Sequence, residues 1–511
     1  MQSKPWLFVI TFIVLTGVGT AQDARSVLEA ADRAMGARNL KSIQYSGSGW
    51  TAAFGQSHDP AGEYPDWPRF EMPSYTRTID YEAKSAKEEL TRRQGSYPPQ
   101  GGGGTPIVGE QRQAFLVSGN YAWNIQGNNP VPAFAAAEQR QLEIWLSPHG
   151  FVKAGLAASN PTAFTRTEDG VPYTIVSFTL GKYRINGTIS SENLVERVQT
   201  WVPNPVLGDM IWETNYIDYK DYGGVKFPTR VHHHQGDAHL RLAAHGLYDL
   251  RVTGVQVNPS GSASVVPDAI RQATNSPVRV ESTKLADGVW FLGGGSHNSV
   301  LVEFRDYAAV IEAPLNEERS LAVMAEVKKL VPNKRIKYLV NTHHHFDHSG
   351  GLRTYVSEGT VIITSKRNRE YYENVVFTMV PRTLQPDRMS LSPRATSNFG
   401  PSASSPFMAV EAVEELYTLT DGTQTMEIHY VRGLRHSENM LMVYLPKQKI
   451  VVEADLFNPP ASGAPPAAPN PSNLTFYENI KRLKLDVAQI APLHGRVVPM
   501  SDFLKVVGKS E

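Results

Sequence analysis

A chain of 511 residues, 41% hydrophobic and 20% charged, can bury two or three separate cores, which excludes wholesale disorder. Its 50 Lys and Arg balance its 50 Asp and Glu, so no net positive field draws in nucleic acid or an anionic membrane, and a small-molecule substrate is expected instead. The absence of cysteine excludes disulfides, a thiol nucleophile and every thiolate metal site, leaving histidine and carboxylate as the metal ligands to look for.

At the start of the chain, Lys4 precedes an apolar run from Trp6 to Val18, and Gly19-Thr20-Ala21 then supplies the small residues that suit a signal peptidase. Residues 1–21 are therefore expected to be a secretory signal that sends the protein to the periplasm or outside the cell. No stable membrane insertion is expected after cleavage, because the run falls short of the roughly 20 residues a span requires.

Residues 24–257 read as a β-rich domain. Val27, Leu28, Ala31, Ala34 and Met35 predict one leading amphipathic helix from Ala24 to about Gly36. Short alternating runs follow, such as Val176, Phe178 and Leu180, with turns at Asp169-Gly170 and Gly223-Gly224, the pattern of an antiparallel sheet. Gly101 to Gly104 lacks the Lys-Ser/Thr ending of a phosphate loop and reads as a flexible connection between strands. In His232-His233-His234, strand alternation sends the outer two to one face and His233 to the other. With only His239 and His245 nearby, a surface or cleft-facing strand is expected there, not a metal site.

The Pro-, Ser- and Gly-rich stretch 258–277 reads as a linker to a second domain, 278–511. There the apolar runs SVLVEF, YAAVI, IKYLV, TVIIT, LMVYL and KIVV interleave with helical patterns, one of them carried by Leu321, Met324, Val327, Leu330 and Val331. That alternation predicts an α/β layered domain. Pro381 to Pro406 and Asn458 to Asn473 are irregular insertions of the kind that carry function.

The strand IKYLV runs into NTHHHFDHSGG, residues 341–351, where His343, His345, Asp347 and His348 are spaced H-x-H-x-D-H. That is too many donors for one tetrahedral ion, but a loop can aim one pair at one ion and the other pair at a second. Further donors stand at later strand ends: His436 in GLRHSENMLMVYLP, Asp455 in KIVVEADLF and His494 in QIAPLHG.

This ordered set resembles the ligand pattern of the metallo-β-lactamase superfamily over roughly residues 278 to 511. The resemblance implies an αβ/βα four-layer fold behind the β-rich N-terminal domain. It also implies two zinc ions, the first held by His343, His345 and His436, the second by Asp347, His348 and His494, with Asp455 bridging. A bridging aspartate resembles the glyoxalase II branch more than the cysteine-bearing β-lactamases. Iron or manganese would suit the same donors. Glu312 stands where the family usually has an aspartate and is expected to support the site without binding metal. His344 is expected to point away, His429 to be a strand residue, and His297, in an early loop, to be a candidate for lining the cleft.

The chemistry that follows is hydrolysis of a carbonyl substrate, of β-lactam, thioester or lactone class, by a metal-bridging hydroxide, with Asp347 as the catalytic proton carrier. Gly293 to Ser299 and the two insertions are the expected pocket loops. Met379, Met389, Phe399 and Phe407 with Arg382, Arg388 and Arg394 would suit an anionic, partly apolar substrate. The alternative is an envelope carrier, because the N-terminal pattern resembles the curved sheets of periplasmic lipoprotein carriers that hold an apolar ligand.

Overall fold

The computed structural model describes residues 23–60, 67–168, 170–236, 245–378, 381–391, 410–460 and 469–509. The expected signal segment lies outside them. Among the described residues no helix is long and apolar enough to cross a membrane.

The first helix, Ala24–Met35, is capped by the Asp23 side chain and ended by Gly36 in the left-handed region. The strand Ser42–Ala52 follows, and from it the chain meanders outward to the edge strand Asn129–Pro132. It then crosses to the opposite edge, Thr162–Glu168, and meanders back until His245–Val257 pairs antiparallel with Ser42–Ala52. The result is one 13-stranded sheet. Two helices beyond the leading one make the crossing, Ala137–Leu146 and Pro148–Ala157, and the Ser147 hydroxyl caps the second by accepting from the Gly150 N–H. Their buried Ile144 and Phe151 share a core with Leu28, Met35, Phe178 and Ile185. The stretch read as a linker is pinned down: Val266 and Ile270 pack on Leu116 and Trp123. A cavity of about 780 Å³ beside the leading helix is rimmed by Arg38, Lys41, Lys84 and Lys153.

His233 is buried within this sheet, not at its surface. Thr214 Oγ1 meets its Nδ1 at 2.9 Å, and Trp212 and Tyr248 pack on its ring. His232 and His234 occupy the opposite face and pair with Asp249 and Glu213. Burial also encloses His149, and it pushes the two imidazoles down, His149 to about 4 and His233 to about 3. An unfolded histidine titrates near 6.5, so between that pH and the folded values the unfolded chain binds more protons than the native one. Stability is therefore full above about pH 6.5 and is lost as pH falls, on the order of 3 kcal/mol per histidine by pH 4. Urea unfolding at pH 7, 5.5 and 4 checks this. His233→Gln is expected to flatten the acid limb, and an unchanged slope would refute the assignment.

The C-terminal half has two sheets. One, of seven strands, begins with antiparallel hairpins from Glu281–Ala286 to Ala308–Ile311 and continues in parallel through Ile336–Val340, Val361–Ser365 and Val410–Val413. The other, of six, runs from Leu416–Thr420 to Val498–Pro499. Strand alternation assigns the faces. Val300, Val302, Ile311, Val340 and Ile363 meet Ile428, Leu441, Val443 and Val452 between the sheets. On the outer face of the first sheet, Leu301, Val310, Leu339 and Ile362 share a core with Val323 and Val327 of the helix Glu317–Leu330 and with Tyr355. On the outer face of the second, Met442, Val451 and Ile490 lie under Phe476, Ile480 and Phe503 of the last helices. These are the four expected layers, helix, sheet, sheet, helix. The helix Glu317–Leu330 also has the end chemistry its sequence implies, with Asn316 as cap, Glu317 and Glu318 in the first turn, and Lys328 and Lys329 in the last.

Candidate metal centre

Every donor named from the sequence stands near a strand end, on a loop or short helix held by the two-sheet core. The stretch 341–345 leaves the strand Ile336–Val340 and enters the short helix Phe346–Ser349, which carries Asp347 and His348. His436 precedes the strand Leu441–Leu445, Asp455 follows Ile450–Glu453, and His494 follows Gln489–Pro492. Asp455 adopts φ 57°, a strained backbone for a non-glycine residue that aims its carboxylate back over the strand ends.

The structure brings all seven side chains together. His343, His345 and His436 form one group, and Asp347, His348 and His494 a second. Asp455 faces both: its Oδ2 is 3.4 Å from His343 Nε2, 3.4 Å from His436 Nε2 and 3.0 Å from His348 Nε2, while its Oδ1 is 3.2 Å from His494 Nε2. His297 joins the second group, with its Nε2 3.2 Å from Asp347 Oδ2. Its loop position was its only local signal.

Hydrogen bonds on the far side of each ring determine which nitrogen faces inward. His345 Nε2 donates to the Ser57 carbonyl at 2.8 Å, and His494 Nδ1 to the Ser296 carbonyl at 3.3 Å. His348 Nδ1 donates to Glu312 Oε2 at 3.0 Å. The Thr342 hydroxyl gives its proton to Glu312 Oε2, so its oxygen accepts from His343 Nδ1 at 3.0 Å. Four rings thus turn bare lone pairs toward the centre. The inward nitrogens of His343 and His345 lie 3.0 Å apart, and those of His348 and His494 lie 3.1 Å apart. Facing lone pairs repel unless a cation sits between them. Nitrogen ligands at ordinary zinc distances in a tetrahedron are roughly 3.3 Å apart, so the spacing suits a metal. His436 Nε2, buried with no hydrogen-bond partner, is the fifth inward donor.

The electrostatics agree. Burial pushes His343 and His345 well down, toward the neutral form a ligand needs. Burial acts in the same direction on His348, but the Asp455, Asp347 and Glu312 carboxylates outweigh it and hold that imidazole well above its usual range. Positive charge is therefore favoured at that point. Burial raises Asp455 and Asp347, yet the surrounding histidines win and keep both ionised.

The histidines read as bystanders have their own partners. His344 meets Ser57 Oγ at 2.9 Å and Asn439 Oδ1 at 3.1 Å, turned away from the cluster as expected, and His429 pairs with Glu427 along its strand. His239 and the His245 side chain lie outside the described residues. Glu312 is fully buried at the end of Ala308–Ile311 and supports His348 from behind.

The pocket-loop reading needs correction. Arg382 is buried, donating to the carbonyls of Asn204, Pro205 and Val206 beside Asp387, and Arg388 donates to Glu358 at 2.6 Å. Neither is free to receive an anionic substrate. Arg382 docks the start of the insertion onto the N-terminal sheet, Arg388 ties it to the C-terminal half, and Met389 packs against the core. Met379, Arg394, Phe399 and Phe407 lie outside the described residues. Gly101 to Gly104 is no loose connection either: Gly101 and Gly102 are buried, and Gly101 N–H donates to the Arg435 carbonyl at 2.8 Å.

Residues 292–493 match the family model of the metallo-beta-lactamase superfamily, a match that takes in six of the seven donors and ends one residue before His494. That segment is a domain of the metallo-beta-lactamase superfamily. The family makes this part of the chain a metal-dependent hydrolase. The chain is similar to the solved metallo-beta-lactamase from Pontibacter korlensis at 19% identity, over 45% of this chain and 100% of that one, with a TM-score of 0.32. It is similar to the mono-zinc form of FIM-1 from Pseudomonas aeruginosa at 20% identity, over 46% and 95%, with a TM-score of 0.31. For the metallo-beta-lactamase from Hirschia baltica the figures are 17% identity, 46% and 99%, and 0.32. No curated protein matches the chain. The matched segment is less than half of the chain, and the 13-stranded sheet precedes it.

Proposed function

We propose that the protein is an exported dinuclear zinc hydrolase that cleaves a carbonyl bond in a small molecule, of β-lactam, thioester or lactone class. The observation that carries this reading is Asp455, whose two carboxylate oxygens face both donor groups at once. His343, His345 and His436 would hold one ion, Asp347, His348 and His494 the other, and Asp455 would join them. When bound, such a pair lowers the pKa of water toward neutrality and polarises the carbonyl under attack.

The chain's own residues have distinct tasks around that chemistry. Glu312, Thr342, Ser57 and Ser296 hold the rings in the tautomers that present lone pairs. Asp347 Oδ2, beside His297 Nε2, is placed to accept a proton from the attacking water and return it to the leaving group. No protein nucleophile is needed, which agrees with a chain that has no cysteine. Manganese or iron in place of zinc would use the same nitrogen and oxygen donors.

The test is turnover by the zinc-loaded protein of a chromogenic cephalosporin, an acyl-glutathione thioester and an acyl-homoserine lactone. We expect one of the three to be hydrolysed, with chelation abolishing the rate and Asp347→Ala lowering kcat by about 100-fold or more, the scale of a lost proton carrier. Zinc bound without turnover of any of them would sink the carbonyl-substrate reading.

A further inference from the structure

The loop that follows the strand Ser42–Ala52 belongs to the N-terminal sheet, yet it runs through the metal centre. Phe346 N–H donates to the Gly55 carbonyl at 3.1 Å, and the rings of Phe54 and Phe346 meet edge to face at 5.0 Å. Gly55 is required at this contact, since φ is +71° and a Cβ would lie 2.4 Å from the Phe346 ring. One residue on is Gln56, whose carboxamide orientation is decided by its partners. Its Nε2 donates to Asp347 Oδ1 at 2.7 Å, and its Oε1 accepts from the Gly103 N–H at 3.1 Å. Next, the Ser57 carbonyl takes the outward proton of His345. The Gly101 to Gly104 turn closes behind: Gly102 N–H donates to the Gln56 carbonyl at 2.9 Å, and a Cβ on Gly102 would approach His345 Cε1 to 2.9 Å.

From this geometry we propose that the N-terminal half is a working part of the hydrolytic site, with Gln56 as the positioning residue for Asp347. The inference rests on the two-ion reading above. With a neutral amide donor on Oδ1, Oδ2 faces His297 and His348 and would be the oxygen offered to a second ion, and the amide fixes the carboxylate without adding a competing charge. The Gly103 N–H holds the amide in turn, so the glycine turn, the glutamine and the aspartate form one chain of contacts that ends in the donor cluster. The two halves act together. The turn and the 54–58 loop make one wall of the site, and a substrate must fit against both halves of the molecule. This assigns the N-terminal sheet a part in positioning the donors that a detached carrier module would not have.

The test is zinc titration of the full-length, metal-stripped chain against a chromophoric chelator, for wild type, Gln56→Ala and His348→Ala. We expect Gln56→Ala to weaken one of the two equivalents by about 10- to 100-fold, the usual effect of removing a partner behind a ligand, and to leave the other unchanged. The Tm of the metal-free protein should stay at the wild-type value, which separates positioning from general destabilisation. If Gln56→Ala lowers that Tm sharply, Gln56→Met, which keeps the volume and loses both amide bonds, takes its place. Two equivalents bound at wild-type affinity by the variant that folds, while His348→Ala loses one, would overturn the role of Gln56. Two equivalents retained by His348→Ala as well would instead overturn the two-ion reading.

Discussion

Asp455→Asn is expected to abolish tight binding of both metal equivalents and to lower kcat/KM by at least about 1,000-fold, ~4 kcal/mol of transition-state stabilisation. Four inward imidazole nitrogens lie within 3.4 Å of this one carboxylate, more than any other side chain in the cluster commands. Asparagine is the informative replacement. It tolerates the left-handed backbone at φ 57° and keeps the shape, so it removes the negative charge and the shared oxygen ligand with little added strain. Alanine would confuse loss of metal with a strained turn. Isothermal titration with zinc, beside initial rates on the substrate found by the panel, measures both effects. Full occupancy of two ions in Asp455→Asn would show that the carboxylate does not bridge.

Glu312→Gln is expected to be the most damaging change at a residue that touches no ion. Its buried carboxylate accepts from Asn341 Nδ2 at 2.6 Å, Thr342 Oγ1 at 2.6 Å and His348 Nδ1 at 3.0 Å. An amide has only one oxygen to offer, so at least one of those buried donors would meet an N–H instead of an acceptor. A stranded buried group costs about 1–3 kcal/mol. The larger consequence lies on the other side of the His348 ring. Without a carboxylate behind Nδ1, the imidazole loses both its fixed tautomer and its electron donation, and metal affinity at that position should fall about 10- to 100-fold. Urea unfolding of the metal-free protein reads the first effect and zinc competition the second. Glu312→Asp, one methylene shorter and the residue usual in the family, should bind metal better than the glutamine variant. If it does not, shape and not charge is what matters at this position.

Much of the site was legible because its parts are local. H-x-H-x-D-H places four donors within six residues of one loop, and His436, Asp455 and His494 each follow or precede an apolar run that the period-2 pattern marks as a strand. The four layers were legible for the same reason. Alternate residues of Ser299–Glu303 or Ile336–Val340 must go to opposite faces, and the helix Glu317–Leu330 carries its own cap and charge signals.

Arg382 shows where that reasoning stopped. Three arginines in a proline-rich insertion look like anion receptors, and only packing reveals that this one is consumed by three main-chain carbonyls some 180 residues earlier in the chain. His297 shows the converse, a lone histidine in a glycine-rich hairpin loop whose place beside Asp347 depends on how that loop lies over the short helix Phe346–Ser349.

The sequence by itself determined the candidate donors, the layered hydrolase domain and the exclusion of thiol chemistry, since each rests on residue type and short-range spacing. The tertiary structure alone decided which nitrogen of each ring faces inward, that Gln56 reaches Asp347 across 291 residues, and that the glycine turn presses against His345. The physical reason is that contacts between distant segments are set by how two independently patterned sheets dock. No periodicity within either one encodes that relation.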